Sequence, residues 1–280
     1  MQQFSIVKQS NSNLSLTKKF NQCCFETFPV LFLHASDFRF HSQQPKRNMK
    51  WSELFTSSIG KKFVMGLTGL FLISFLIVHV GINACIFATL FNPDDNGQMF
   101  NKAAHFMGSM VVIRIMEIGL FVGFFIHIIQ GLVLTFQNRS KRTVGYNVQM
   151  GNKGSKWYSR SMGLLGTIIL IFLIIHWKQF WIPSRFTGVE ETFIDNKPIH
   201  DLFGLMKITF SQLWVVVLYV LACISLAYHL LHGFQSAFRS IGLHNTKYLK
   251  LANSFGIAYS IIVPLLFALM PISMYMGWVQ

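Results

Sequence analysis

Five stretches of this chain, at about residues 61–91, 105–137, 157–182, 207–240 and 247–276, stay apolar for longer than the roughly 20 residues an α-helix needs to cross about 30 Å of hydrocarbon. Nothing else constrains the fold as strongly. Inside hydrocarbon every backbone N–H and C=O must find its partner within the segment, which leaves the helix as the solution for isolated apolar runs of this length. The expected fold is therefore all-α, a polytopic membrane bundle of five transmembrane helices. With 52% hydrophobic and 12% charged residues, the chain has the composition of such a bundle rather than of a soluble domain. Several stretches exceed the minimum, so tilt or extension beyond the bilayer is expected.

A formal net charge of +14 would suit a nucleic-acid binder, but the basic residues follow the loops rather than one polar face. Lys61 and Lys62 precede the first helix; Arg139, Lys141, Arg142, Lys153 and Lys156 follow the second; Arg239, Lys247 and Lys250 follow the fourth. The intervening loops hold the acids: Asp94 and Asp95 in 92–104, and four acids in 183–206. The positive-inside rule then puts the N-terminus in the cytoplasm and the C-terminus outside. Residues 1–48 differ from the rest. They are polar, and their one apolar patch, Phe28 to Leu33, is too short to span or to serve as a secretory signal. Translation is expected to start at Met49, or else residues 1–48 form a disordered arm. Residues 49–280 are the five-helix domain.

The chemistry lies in four histidines within the apolar runs. Met65-Gly66-Leu67-Thr68-Gly69 followed by Phe75-Leu76-Ile77-Val78-His79 is repeated, at an offset of 97 residues, as Met162-Gly163-Leu164-Leu165-Gly166 and Phe172-Leu173-Ile174-Ile175-His176. His127-Ile128-Ile129-Gln130-Gly131 likewise matches His229-Leu230-Leu231-His232-Gly233. Internal repetition of this kind signals two similar structural units. Depth pairs the histidines. His79 lies 17 residues beyond Lys62 and His176 lies 16 beyond Arg160, both toward the outer side; His127 precedes Arg139 by 12 and His229 precedes Arg239 by 10, both nearer the cytoplasm. The expected pairs, His79 with His176 and His127 with His229, are the arrangement that holds two haems between helices one to four. Bis-histidine iron has no open position, which favours electron transfer over oxygen chemistry. Gly131 and Gly233, one turn after their histidines, and Gly69 and Gly166, ten residues before theirs, share the ligand faces and leave room for a flat ring. Small residues also serve close helix packing without any cofactor.

His232 stands three residues after His229 and is its rival as ligand. Only His229 reproduces the H-x-x-x-G pattern, so His232 is expected to parallel Gln130 as a polar neighbour of the haem. Arg114 and Glu117, on the second helix, are spaced for a local ion pair. Their functional alternative is a propionate contact for Arg114 and quinone proton exchange for Glu117, since charges inside a membrane are costly and often functional. His105 is expected at the interface. The fifth helix has Pro264 and Pro271, which bend a backbone, and no histidine, so packing or quinone contact is expected of it. The four cysteines show neither C-x-x-C nor C-x-x-C-H spacing, and no nucleotide-binding glycine loop or nucleophile elbow occurs. Iron–sulfur clusters, covalent haem and soluble catalysis are therefore assigned to other chains.

Thr68-Gly69-Leu70-Phe71 to His79, Gly166 to His176, His127 to Gly131, and His229 to Gly242, in order on five helices, resemble the single-chain dihaem cytochrome b subunit of succinate dehydrogenases and fumarate reductases. The resemblance spans residues 50–280. It implies two b haems, docking of a covalent-FAD flavoprotein and an iron–sulfur protein on the cytoplasmic face of a bacterial inner membrane, and electron exchange between them and a quinone, expected to be menaquinone. Dicarboxylate chemistry would then lie on the partners, with the basic loops supplying part of their docking surface. The chain departs from the family pattern at Ala227, where some members carry a glutamate linked to proton transfer. Two other readings stay open: a dihaem anchor for a hydrogenase or formate dehydrogenase, against which the fifth helix counts, and a cofactor-free transporter using its histidines for packing or proton relay.

Overall fold

The computed structural model describes residues 56–140, 156–243 and 245–279. The expectations for residues 1–48, and for Lys141, Arg142 and Lys153, lie outside them. Among the described residues eight α-helices follow in order: α1 (Ser58–Ala84), α2 (Gln98–Ser109), α3 (Val111–Ser140), α4 (Trp157–Arg160), α5 (Met162–His176), α6 (Leu202–Phe210), α7 (Leu213–Ser240) and α8 (Thr246–Tyr275). Five helical segments are long and apolar enough to cross a membrane: Ser58–Leu90, Val111–Ser140, Met162–Thr187, Leu213–Ser240 and Thr246–Tyr275. Large apolar side chains on their outer faces, among them Ile118, Phe136, Leu164, Leu221 and Leu265, are exposed, as lipid contact requires.

The expected second and fourth spans are too long at their starts. Met110 is extended (φ −77°, ψ 127°) and separates α2 from α3, and Gln212 (φ −98°, ψ 116°) separates α6 from α7. Neither break carries proline, and small or polar residues mark both: Gly108 and Ser109 at the first, Ser211 and Gln212 at the second. The third span also begins later, at Met162 after a turn at Ser161, and does not end at Ile182. It continues as wide, π-helical turns over Trp177–Trp181 and Pro183–Thr187. Pro183 opens the second of these turns, where a missing N–H costs little. The expected 183–206 loop is thus the end of that helix, a two-stranded antiparallel hairpin and the start of α6. In the hairpin β1 (Glu191–Ile194) pairs with β2 (Lys197–His200), turning through Asp195 and Asn196 at positive φ.

The helices α2 and α6, with the hairpin, form a roof at one end of the bundle. Asn101, buried on α2, ties it together. Its amide nitrogen donates to Asp201 Oδ1 at 2.8 Å, and its carbonyl oxygen accepts the Phe203 N–H at 2.9 Å. Gly97, which starts α2 at φ 75°, is the one residue type that fits: a Cβ there would overlap the Phe203 ring.

Packing is uneven across the bundle. In the most apolar window of α7 and of α8, 39% of residues are buried, against 11%, 11% and 6% for the three other spans. Gly256 of α8 sits against the Phe234 ring of α7 with no room for a Cβ, and Tyr259 of α8 donates its hydroxyl to the Ile73 carbonyl of α1 at 2.7 Å. Pro264 and Pro271 are buried within α8. Gly66 of α1 lies against the end of α7, where a Cβ would stand 3.2 Å from the Ala237 carbonyl oxygen. Between them α1, α3, α5 and α7 enclose a cavity.

Candidate cofactor site

That cavity has a volume of about 1770 Å³. Small-molecule sites occupy roughly 300–1,000 Å³, so the space is sized for more than one such ligand. Its walls are mostly apolar, and they include His79, His127, His176, His229 and His232, Arg114 and Glu117, and Gly69, Gly131, Gly166 and Gly233. Of the candidate haem and quinone contacts, Gln130 is not on the wall. It is buried in α3, with its side-chain oxygen unpaired.

The histidines face each other in the expected pairs. The rings of His79 on α1 and His176 on α5 have centroids 5.9 Å apart at an interplanar angle of 82°. Those of His127 on α3 and His229 on α7 are 6.2 Å apart at 64°. Metal–imidazole nitrogen bonds are about 2 Å, and a ring centre lies about 1 Å further on, so two imidazoles on opposite sides of one ion would have centres roughly 6 Å apart. Both pairs fit that spacing. It is His229, rather than His232, whose ring faces His127.

Among the described residues no three His, Cys, Asp or Glu side chains converge as a chelating group. Each pair therefore offers two imidazoles, and any further ligands would have to come with the bound group. Comparison with family models, with curated proteins and with solved structures finds no match. Function rests on the geometry.

Gly69 and Gly166 lie at the level of the pair formed by His127 and His229. Gly69 and Gly166 do share a face with His79 and His176, but three turns of helix carry them to the other pair. A Cβ at Gly69 would stand 3.5 Å from His127 Cε1, and one at Gly166 would stand 3.7 Å from His229 Cε1. There is space for a methyl group beside each ring and little more. Gly131 faces Met65, and Gly233 faces open space.

The expected Arg114–Glu117 ion pair does not form. Arg114 donates through Nε to the Gly108 carbonyl at 3.1 Å. Glu117 instead receives the Trp181 indole N–H at 2.6 Å and the Arg185 guanidinium, at 3.2 Å from Nε and 3.0 Å from Nη2. The i, i+3 spacing permitted the local pair, but Arg185 and Trp181 reach Glu117 because the third span continues four residues past Pro183. His105, on α2 in the roof, lines the capped end of the cavity.

Sequence reasoning missed the partners of the imidazoles. Thr68 Oγ lies 3.3 Å from His127 Nδ1, and Tyr219 Oη lies 3.3 Å from His176 Nδ1. The Asn83 amide sits almost equidistant from both nitrogens of His79, at 3.5 and 3.4 Å, while donating to the His79 carbonyl at 2.9 Å. His229 Nδ1 is buried without a partner. One signal was available: Thr68 and Leu165 are a mismatch inside an otherwise close repeat.

Proposed function

We propose that this chain is the membrane-anchor cytochrome b subunit of a succinate:quinone oxidoreductase, with one b haem between His79 and His176 and a second between His127 and His229. The observation that carries the reading is the two facing imidazole pairs, at separate levels of one cavity, each at the spacing of a shared axial ion. His79 and His176 would hold one haem and His127 and His229 the other, and each haem, when bound, would supply one-electron transfer. The residues of the chain do the rest. The four imidazoles hold the groups at fixed levels, and the apolar walls keep water from them. Arg114 brings a positive charge to the capped end of the cavity for carboxylate groups there, while Glu117 neutralises Arg185.

On this reading the chain joins a cytoplasmic flavoprotein and an iron–sulfur protein to membrane quinone, menaquinone, in a bacterial inner membrane. The N-terminus is inside and the C-terminus outside. The basic residues at the helix ends opposite the roof, Lys61, Lys62, Arg139, Lys247 and Lys250, support that orientation. Dicarboxylate chemistry belongs to the partners.

The test is purification from its own membrane with the chains that accompany it. The expected result is two b haems per chain, a b-type reduced-minus-oxidised spectrum that appears on adding succinate, and co-purifying flavin and iron–sulfur subunits. An assembled preparation without b-type bands would overturn the reading in favour of a cofactor-free transporter. Two haems with a hydrogenase or formate dehydrogenase partner would keep the site and replace the enzyme.

A further inference from the structure

The hydroxyls next to the histidines have their protons committed elsewhere, and this fixes which ring nitrogen carries hydrogen. Thr68 donates its hydroxyl to the Val64 carbonyl at 2.8 Å, with the Met65 carbonyl at 3.2 Å. Tyr219 donates to Gln179 Oε1 at 2.7 Å. Each oxygen can therefore only accept from its imidazole, so His127 and His176 carry the proton on Nδ1 and present a bare Nε2. Each lock comes from a neighbouring spanning helix: Thr68 on α1 holds His127 of α3, and Tyr219 on α7 holds His176 of the third span.

The repeat shows why only one imidazole of each pair meets a hydroxyl. Gly69 and Gly166 stand alike against His127 and His229, so Leu165 occupies beside His229 the place that Thr68 occupies beside His127. Leucine has no acceptor, and His229 Nδ1 is left without a partner. The same logic applies at the other level. Tyr219 and Glu117 each stand ten residues before the histidine of their own helix, and Tyr219 reaches His176 on the preceding span. Glu117, its counterpart, is bound to Trp181 and Arg185 and leaves His79 to Asn83. We propose that Thr68 and Tyr219 are positioning residues, one for each pair, each holding a single imidazole in the Nδ1–H form so that Nε2 is left bare for a metal, while Leu165 and Glu117 leave the opposite imidazole without such an acceptor.

The inference rests on the haem reading, and its test separates the two. A hydrogen bond from Nδ1–H to an acceptor makes the imidazole a stronger donor to its metal and favours the oxidised iron. Redox titration of the full chain in its membrane should resolve two b-type midpoints. Thr68→Val should shift one midpoint upward and leave the other, and Thr68→Ser should restore it. Tyr219→Phe should raise the other midpoint. Leu165→Thr, which installs the missing acceptor, should lower the midpoint that Thr68→Val raises. Should Tyr219→Phe lose its haem, Thr68→Val against Thr68→Ser and Leu165→Thr still decide. Two haems whose midpoints ignore all of these changes, or a single haem moved by both Thr68→Val and Tyr219→Phe, overturn the positioning roles. A wild-type membrane with no b-type midpoint overturns the functional reading itself.

Discussion

The two histidine pairs are the same device in different surroundings. The pair at the capped end, His79 and His176, is set among aromatic rings. Phe75 and Phe172 stack on the two imidazoles at 5.2 and 5.6 Å, Phe267 and Phe180 flank them at 5.4 and 5.5 Å, and Tyr219 closes the side. The pair at the other end, His127 and His229, has Gly69 and Gly166 beside its rings and one small hydroxyl, Thr68. The comparison teaches that helix positions set the spacing of each pair, whereas the neighbours decide how tightly each ring is held. Bulk holds the rings at the capped end, and the absence of bulk admits them at the other. The largest break in the comparison would come from the ligands themselves. Replacing His79 or His176 with Ala should cost one of two haems, and replacing His127 or His229 should cost the other, as counted by pyridine haemochrome and by which midpoint disappears. His232→Ala should keep both. Loss of a haem in His232→Ala, with both retained in His229→Ala, would reassign that ligand.

A glycine substitution sharpens the same contrast with a result that helix membership alone would get wrong. Gly69 shares a helix with His79, yet it stands against His127. Gly69→Leu should therefore remove or displace the haem proposed between His127 and His229 and spare the one proposed between His79 and His176, with Gly166→Leu acting on the same haem. Gly69→Ala places a methyl at ordinary contact distance from Cε1, so it should leave both haems in place. A Gly69→Leu protein that loses only the haem of its own helix's histidine would mean the glycine acts at the wrong depth for this geometry.

Much of this was legible in the sequence, for identifiable reasons. The five spans announce themselves through length and apolarity, and the pairs follow from counting residues to the basic helix ends. The span starts were not legible. Residues 105–110 and 207–212 are less apolar than the spans they precede, but Phe106, Met107, Ile208 and Phe210 carry the apolar pattern up to them, and the separation itself is a single extended residue, Met110 or Gln212, with no proline to mark it. The partners of the imidazoles were hidden for another reason. Thr68 meets His127 across 59 positions and Tyr219 meets His176 across 43, and only the packing of neighbouring helices brings them together. Glu117 shows the limit of local spacing. Its i, i+3 neighbour Arg114 was available, but a guanidinium 68 positions away, with an indole N–H beside it, makes the better-shaped partner.

That cluster gives the next effect in size. The Glu117 and Arg185 side chains are only 20% and 22% exposed, and the carboxylate takes three hydrogen bonds from the third span. Glu117→Ala should leave the guanidinium and the indole unpaired and cost about 1–3 kcal/mol, below the range for a fully buried pair because water still reaches this one. Glu117→Gln keeps an acceptor for Trp181 and should lose less. Thermal unfolding in detergent measures the cost. The accompanying spectrum should change for the haem of the capped end and not for the other. Equal perturbation of both haems would show that the cluster supports the whole bundle rather than one half.

The smallest effects belong to the roof, where two adjacent residues of α2 differ in the way the two pairs do. Lys102 forms an ion pair of 2.8 Å with Asp195 of the hairpin turn, but the side chains are 49% and 74% exposed. Such pairs contribute little and are screened by salt, so Lys102→Ala should change stability by less than about 0.5 kcal/mol, and by less still at high ionic strength. Asn101 beside it is buried and satisfies the Phe203 N–H and an Asp201 oxygen, so Asn101→Ala should cost about 1–3 kcal/mol by stranding the Phe203 N–H, while Asp201 Oδ1 keeps the Gly204 N–H. Neither change reaches a histidine, and both proteins should keep two haems. Haem lost from the capped end in Asn101→Ala, with unfolding otherwise unchanged, would mean that the roof does more than close the bundle and holds the His79–His176 pair in register.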